Sequence, residues 1–239
     1  MVKGRTENDA QDVGGHTAAL DGRMLRSYAV LVRNLMFSRS AVYGIGEWAD
    51  RYPLDLVGLP SAAGEALCDD RLGRCLDRLF ASGQHELVLE VVRHVIQEFG
   101  VRLDELHNDS TTISFFGAYA EAGQEGTQRG RSTPAITYGH SKARRPDLKQ
   151  LLYILTLSED GGVPIYFATK SGNISDDTTH QQTWDLLCEL TGRKDFLYVA
   201  DCKLATMDNM RYIDQRGGRF ISVLPASRKE DNEFRRRLL

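Results

Sequence analysis

Two aspartates are the residues of this sequence best placed to do chemistry. Asp201 ends the apolar run Phe196-Leu197-Tyr198-Val199-Ala200, and Asp109 lies in LHNDSTT, at the start of a stretch rich in strand-forming residues. Burying an unpaired carboxylate costs on the order of several kcal/mol, so a carboxylate closing a buried run needs a partner or an exit from the core. Two carboxylates drawn together repel one another unless a cation lies between them. Hard divalent ions that prefer oxygen ligands, Mg²⁺ or Mn²⁺, suit that place. Ions so held serve phosphodiester chemistry by activating a water or a 3′-hydroxyl and stabilising the leaving oxygen. Taken singly, each aspartate has a plainer use. Asp109 fits a turn or strand end bonding its own backbone beside Ser110, and Asp201 fits the N-cap of a helix starting near Leu204.

The elements that carry the aspartates decide whether they meet. Up to about residue 102 the apolar residues recur at helical spacing. One stripe holds Leu25, Ala29, Leu31, Val32, Leu35 and Met36, with Asp21 as a cap. A shorter piece stops before Pro53, a third helix opens at Asp69 or Asp70 and stops at Gly83, and a fourth runs to Gly100 with Leu87, Leu89, Val91, Val92, Val95 and Ile96 inward. From residue 103 the period falls towards two. ELHNDSTTISFFGAY reads as a strand or strand pair, and EAGQEGTQRGRSTPA as a loop. The runs at 149–157 and 163–170 flank Glu159-Asp160-Gly161-Gly162 and read as a hairpin. Asp176 and Asp177 read as caps of the helix TTHQQTWDLLCELTG; a strand at 195–201, a helix and a last strand follow. Three strands, then helix, strand, helix, strand is the order of an α/β ribonuclease-H-like mixed sheet, strand order 3-2-1-4-5, in which the first and fourth strands lie side by side. The chain thus divides into an arm over 1–22, an all-α domain over 23–102 and a sheet domain over 103–239.

Composition narrows the class of protein. The chain has 239 residues, 26% of them charged, and a formal net charge of −3, so any nucleic-acid binding rests on local patches rather than on the overall field. Such a patch exists in GHSKARRPD, where Lys142, Arg144 and Arg145 cluster. It is a solvated surface on its own and a phosphate-holding one beside a phosphodiester site. The four cysteines show no CxxC pair and no zinc-ligand spacing, which points to free buried thiols in a reducing compartment. With no apolar leader and no apolar run long enough to cross a bilayer, the cytoplasm is the expected location.

From about residue 23 onward the chain resembles the DDE transposases of bacterial insertion sequences, in the broad IS-four-like superfamily. The resemblance lies in LCDDRLGRCLDRLF, in LHNDSTTISFFG, in YGHSKARRPDLKQLLYILTLSEDGGVPIYFATKSGNISDDTT and in FLYVADCKLAT. It implies a ribonuclease-H-like catalytic domain after a helical domain that engages transposon ends, with double-stranded DNA and a transposase dimer as partners. Its first two catalytic, metal-holding carboxylates fall on Asp109 and Asp201, and its cofactor is Mg²⁺ or Mn²⁺. Lys142, Arg144, Arg145 and Lys203 are the expected DNA-binding residues beside them, although Lys203 is bulkier than the small residues common at its place in the family. The resemblance also implies a third carboxylate, a glutamate in a Tyr-x2-Arg-x3-Glu-x6-Lys signature beyond the fifth strand. After Ala226 only SRKEDNEFRRRLL follows, and Glu230 and Glu233 stand too near the strand. The expectation is therefore a transposase chain truncated at its C-terminus and inactive as a nuclease. The alternative is a non-catalytic module that binds DNA or a full-length transposase.

Overall fold

A computed structural model describes residues 22–53, 55–56, 67–142 and 144–238. The expected arm up to residue 21 and the cap at Asp21 lie outside the described residues. The chain divides into two compact units, 1–85 and 86–239.

The first unit holds α1 (Gly22–Phe37), a 3-10 turn at Val42–Gly44, α2 (Ile45–Ala49) and α3 (Asp69–Ala81). Its core is Val30, Ile45, Trp48, Ala49, Leu67 and Leu72. The Tyr28 hydroxyl donates to the Cys75 carbonyl at 2.7 Å, tying α1 to α3. The side of α1 that is buried carries Val30 and Asn34, one helical turn apart, whereas Leu25, Val32, Leu35 and Met36 of the expected stripe are exposed. Among the described residues of this unit, α1 packs chiefly against the short α2 and against α3.

The second unit begins inside α4 (Gln84–Phe99), so that helix lies with the sheet. Val88, Val92 and Ile96, spaced four apart, pack against the core of the sheet unit. Leu87 and Val91, expected inward, are exposed. The strands are β1 (Glu105–Phe115), β2 (Gly126–Gln128), β3 (Arg131–Thr133), β4 (Lys149–Ser158), β5 (Pro164–Ser171), β6 (Leu197–Ala200) and β7 (Arg219–Ser222). The helices among them are α5 (His180–Thr191), α6 (Met207–Asp214) and α7 (Lys229–Leu238). The result is a mixed α/β unit whose five-stranded sheet has the order β5-β4-β1-β6-β7. β4 pairs antiparallel with β1 and with β5, while β6 is parallel to β1 and to β7.

β1 lies at the centre of this sheet and alternates strictly, Leu106 and Asn108 buried, His107 and Asp109 exposed. The buried side joins Tyr198, Ala200, Trp184, Leu187, Phe196 and Leu204 in one core. Asn108 is buried without penalty because its side-chain oxygen accepts from the Thr156 hydroxyl at 2.9 Å.

The stretch expected as a featureless loop forms a second, two-stranded sheet of β2 and β3. Its turn residues Arg129 and Gly130 both have positive φ, 50° and 76°, the backbone that closes a two-residue hairpin. The cysteines are free, as the spacing suggested, but Cys68 is exposed and the other three are only half-buried.

Candidate active site

β1 and β6 run parallel in the register Glu105↔Leu197 to Asn108↔Ala200. Asp109 is the next residue of β1 and Asp201 the first residue beyond the end of β6, so the paired register leads to one aspartate on each side. Asp201 is not the N-cap of the following helix, whereas Asp109 does bond the backbone beside it, as its plainer reading has it. α6 begins at Met207, and its N-cap is Thr206, whose side chain accepts from the Asn209 amide. Asp201 instead accepts the Lys203 amide on Oδ1 at 3.0 Å, and its carbonyl takes the Ser222 hydroxyl of β7 at 2.7 Å. Asp109 accepts the amide of Ser110 at 2.7 Å and is 81% exposed.

Lys142 reaches the same place from the loop ahead of β4. Its ammonium donates to the Ser110 carbonyl, lies 2.9 Å from the Ser110 hydroxyl and 2.9 Å from Asp176 Oδ2, and stands 3.9 Å from Asp109 Oδ1. The Asp176 side chain is only 12% exposed. Asp176 and Asp177 therefore do not cap α5. They form a 3-10 turn ahead of it, and the N-cap, Thr179, makes no side-chain cap bond. The Ser175 hydroxyl donates to Asp177 Oδ1, and the Asp177 carbonyl accepts from Asn209 Nδ2 at 2.8 Å. That second bond fixes the start of α6 beside the turn.

The two motif loops are held together by packing. Gly139 and Gly172 touch so closely that neither has room for a side chain. Gln150 of β4 donates through Nε2 to the carbonyls of Gly172 and His140 at 2.8 and 3.2 Å. This contact delivers Lys142 to Asp176.

Beneath the acidic group lies a buried pair. His180 Nδ1 is 3.0 Å from the Tyr198 hydroxyl, and His180 Nε2 has no hydrogen-bond partner among the described residues. Burial depresses the His180 pKa below its usual value; Asp201, Asp176 and Asp177 pull it back up and Lys142 pushes it further down. Burial raises the Tyr198 hydroxyl far above its usual range, with Asp201 and then Tyr166 adding to the rise.

The basic cluster is partly spent within the chain. Arg145 makes a two-pronged pair with Asp147, at 2.8 and 2.6 Å, and lies 5.8 Å over the ring of Phe116. Arg144 and Lys203 are exposed. His107 pairs with Glu105 at 2.9 Å. The carboxylates of Asp109 and Asp201 carry hard oxygens, the donor type that Mg²⁺ and Mn²⁺ take, with water completing the shell where protein ligands are few. Among the described residues no group of three or more His, Cys, Asp or Glu side chains could hold a metal ion.

A family profile described as "Domain of unknown function (DUF4277)" matches residues 24–93. No curated protein matches the sequence. Among solved structures, the chain is similar to the Mos1 transposase paired-end complex with left transposon end, at 9% identity and TM-score 0.32, over 86% of this chain and 60% of that one. It is also similar to the piggyBac transposase synaptic complex with hairpin DNA, at 9% identity and TM-score 0.45, over 87% of this chain and 42% of that one. A third is the Mos1 mariner paired end complex with Mn, at 10% identity and TM-score 0.33, over 84% and 60%. The chain thus spans 42–60% of the length of these structures.

Lys142 was legible in the sequence only as one charge of a basic loop, and Asp176 only as a helix cap. Ser110, His180 and Tyr198 join the site with no sequence signal of their own. The clue to the first two lay in GHSK and GNISD, where a glycine precedes each charged residue by a few positions.

Proposed function

We propose that this chain is a transposase of the DDE type, from the insertion-sequence superfamily that its motifs resemble, with a ribonuclease-H-like sheet. Asp109 and Asp201 would hold Mg²⁺ or Mn²⁺, and the chain would bind duplex transposon ends in the cytoplasm, DNA cleavage and strand transfer being the superfamily's activity rather than one that this two-carboxylate site completes. The observation that supports this reading is the parallel pairing of β1 with β6 as far as Asn108↔Ala200, with an aspartate as the next residue of each segment. A bound ion supplies Lewis-acid polarisation of a phosphodiester and activation of an attacking hydroxyl. The chain's own residues do the rest. Lys203 and Ser222 fix Asp201 through its carboxylate and its carbonyl, Ser110 orients Asp109, and exposed Arg144 and Lys203 offer charge to phosphates.

A second reading is favoured by the two-carboxylate donor set: a binding module that takes DNA or a transposase partner without cutting. Mg²⁺ demands near-octahedral order, and two carboxylates fix it loosely. On this ground the described residues support ion and DNA binding more strongly than turnover.

The test incubates the purified chain with end-labelled transposon-end duplex and Mg²⁺ or Mn²⁺. DNA binding and Mn²⁺ binding weakened by Asp201→Asn, with no nicking, is the expected result. Nicking that disappears in Asp201→Asn would assign full catalysis to the chain. Mn²⁺ binding indifferent to both Asp109→Asn and Asp201→Asn would remove the site.

A further inference from the structure

The Lys142 ammonium occupies a place with a clear structural origin. The Leu197 amide donates to the Asp104 carbonyl at 2.7 Å, and carbonyls alternate sides along a strand. The Ser110 carbonyl therefore points to the β6 side as well, beyond Ala200, where β6 has stopped. An acceptor left open at the end of a strand must find a donor, and Lys142 provides it. The same ammonium takes the Ser110 hydroxyl and Asp176 at 2.9 Å each and stands 3.9 Å from Asp109. The lysine side chain is 31% exposed, so water screens these contacts only in part. Gly139, Gly172 and Gln150 fix the two loops that bring Lys142 and Asp176 together.

We propose that the Lys142 ammonium is the resident counter-ion of the carboxylate group, a positioning residue that a divalent cation must compete with at Asp109. This rests on the reading of Asp109 and Asp201 as cation ligands. In the cation-free chain Lys142 relieves the repulsion among Asp109, Asp176 and Asp201 and holds β1 to the turn ahead of α5. When a divalent ion enters, Asp109 meets two cationic neighbours, so the ion binds less tightly than its two carboxylates alone would allow. Lys142 and Asp176 have this role only as a pair. Asp176 keeps the ammonium beside Asp109 and stays outside the ion's own shell.

The test is Mn²⁺ binding, followed by the electron paramagnetic resonance of free Mn²⁺ at fixed pH and ionic strength. It compares the wild-type chain with Lys142→Gln, Lys142→Arg and Asp109→Asn/Lys142→Gln. Removing one unit charge at this distance in a partly solvated setting should tighten Mn²⁺ by roughly tenfold in Lys142→Gln. Lys142→Arg should leave the affinity near that of wild type, and Asp109→Asn should abolish the gain. Circular dichroism shows whether each variant is folded. Should Lys142→Gln fail to fold, the neutral pair Lys142→Gln/Asp176→Asn, which leaves no unpaired charge, takes its place with a gain in the same direction. A folded variant lacking Lys142 that binds Mn²⁺ no better than wild type overturns the proposal. If Asp201→Asn weakens wild-type binding while loss of Lys142 gains nothing, the functional reading stands and the competition falls. If the gain survives Asp201→Asn but not Asp109→Asn, the competition stands and the paired-aspartate site falls. No Mn²⁺ binding by any variant overturns both.

Discussion

A Cβ on Gly139 would lie 1.9 Å from the carbonyl oxygen of Gly172, and one on Gly172 would lie 2.0 Å from that of Gln150. Both obstacles are backbone atoms, which cannot swing aside as a side chain can. The two loops that carry Lys142 and Asp176 meet through this contact, so the glycines govern the site from outside it.

Gly139→Ala and Gly172→Ala should each destabilise the protein by about 1–3 kcal/mol, the usual range for overpacking a tight contact, read by urea denaturation. Gly73, in the middle of α3 with nothing within 4 Å of its would-be Cβ, supplies the control. Gly73→Ala should stabilise by about 0.5–1 kcal/mol through helix propensity alone. An alanine at 139 or 172 that proved neutral would dissolve the packing argument.

Asp176→Asn should cost about 1–3 kcal/mol, since it leaves Lys142 facing a neutral group at a nearly buried position. Lys142→Gln should cost a similar amount by stranding Asp176. The double variant should cost clearly less than the two losses together, because the charges are lost as a pair. Additive losses in the cycle would mean that the 2.9 Å contact contributes nothing.

The sheet was legible because its signals are local and strong. The hairpin of β4 and β5 rests on two apolar runs and a Gly-Gly turn, and both lie where the alternation puts them. The neighbouring of β1 and β6 followed from element order. The β2–β3 hairpin was missed because its strands are three residues each and carry no apolar side chain; its turn, Arg129-Gly130, has positive φ at both residues. The side of α1 that is buried was missed because neighbours choose it, and Val30 with Asn34 is no more apolar than the stripe beside it. The pairing of Lys142 with Asp176 escaped because it depends on a close contact of glycines that a single sequence cannot display. Asp201 drew notice because a carboxylate closing an apolar run is anomalous on energetic grounds, and Asp109 because element order puts its strand beside that run; both residues are exposed, so neither is a buried charge.

His180 should make the protein less stable as pH falls below the ordinary histidine range. Its folded pKa is depressed from 6.5, chiefly by burial, while the unfolded chain takes up the proton near 6.5. Above 6.5 the contribution is fully present. As the pH falls below 6.5 the unfolded state binds more protons, and stability is lost progressively down to the folded value. Melting temperature followed from pH 7.5 to 5 should fall more steeply for wild type than for His180→Gln. Lys142→Gln should soften the slope, because the Lys142 charge deepens the depression. Parallel curves for wild type and His180→Gln would assign the acid loss to other groups.

DNA binding should separate two adjacent arginines. Arg145 is held by Asp147 through two short bonds, and this pairing raises its own pKa and lowers that of the aspartate. Its charge is already answered within the chain, and using it on a phosphate means giving up that pair. Arg144, with a φ of 56°, projects from the same exposed loop. Each phosphate neutralised by a cation contributes about −0.9 to the slope of log K against log salt. Arg144→Ala should therefore reduce the magnitude of the slope by about one and weaken binding evenly across sequences. Arg145→Ala, measured by fluorescence anisotropy over the same salt series, should change the slope by much less. Asp147→Asn should then strengthen binding, since it releases Arg145 to the duplex and removes a negative charge from its path. An Arg145→Ala slope change as large as that of Arg144→Ala would show that DNA outcompetes Asp147 for the guanidinium.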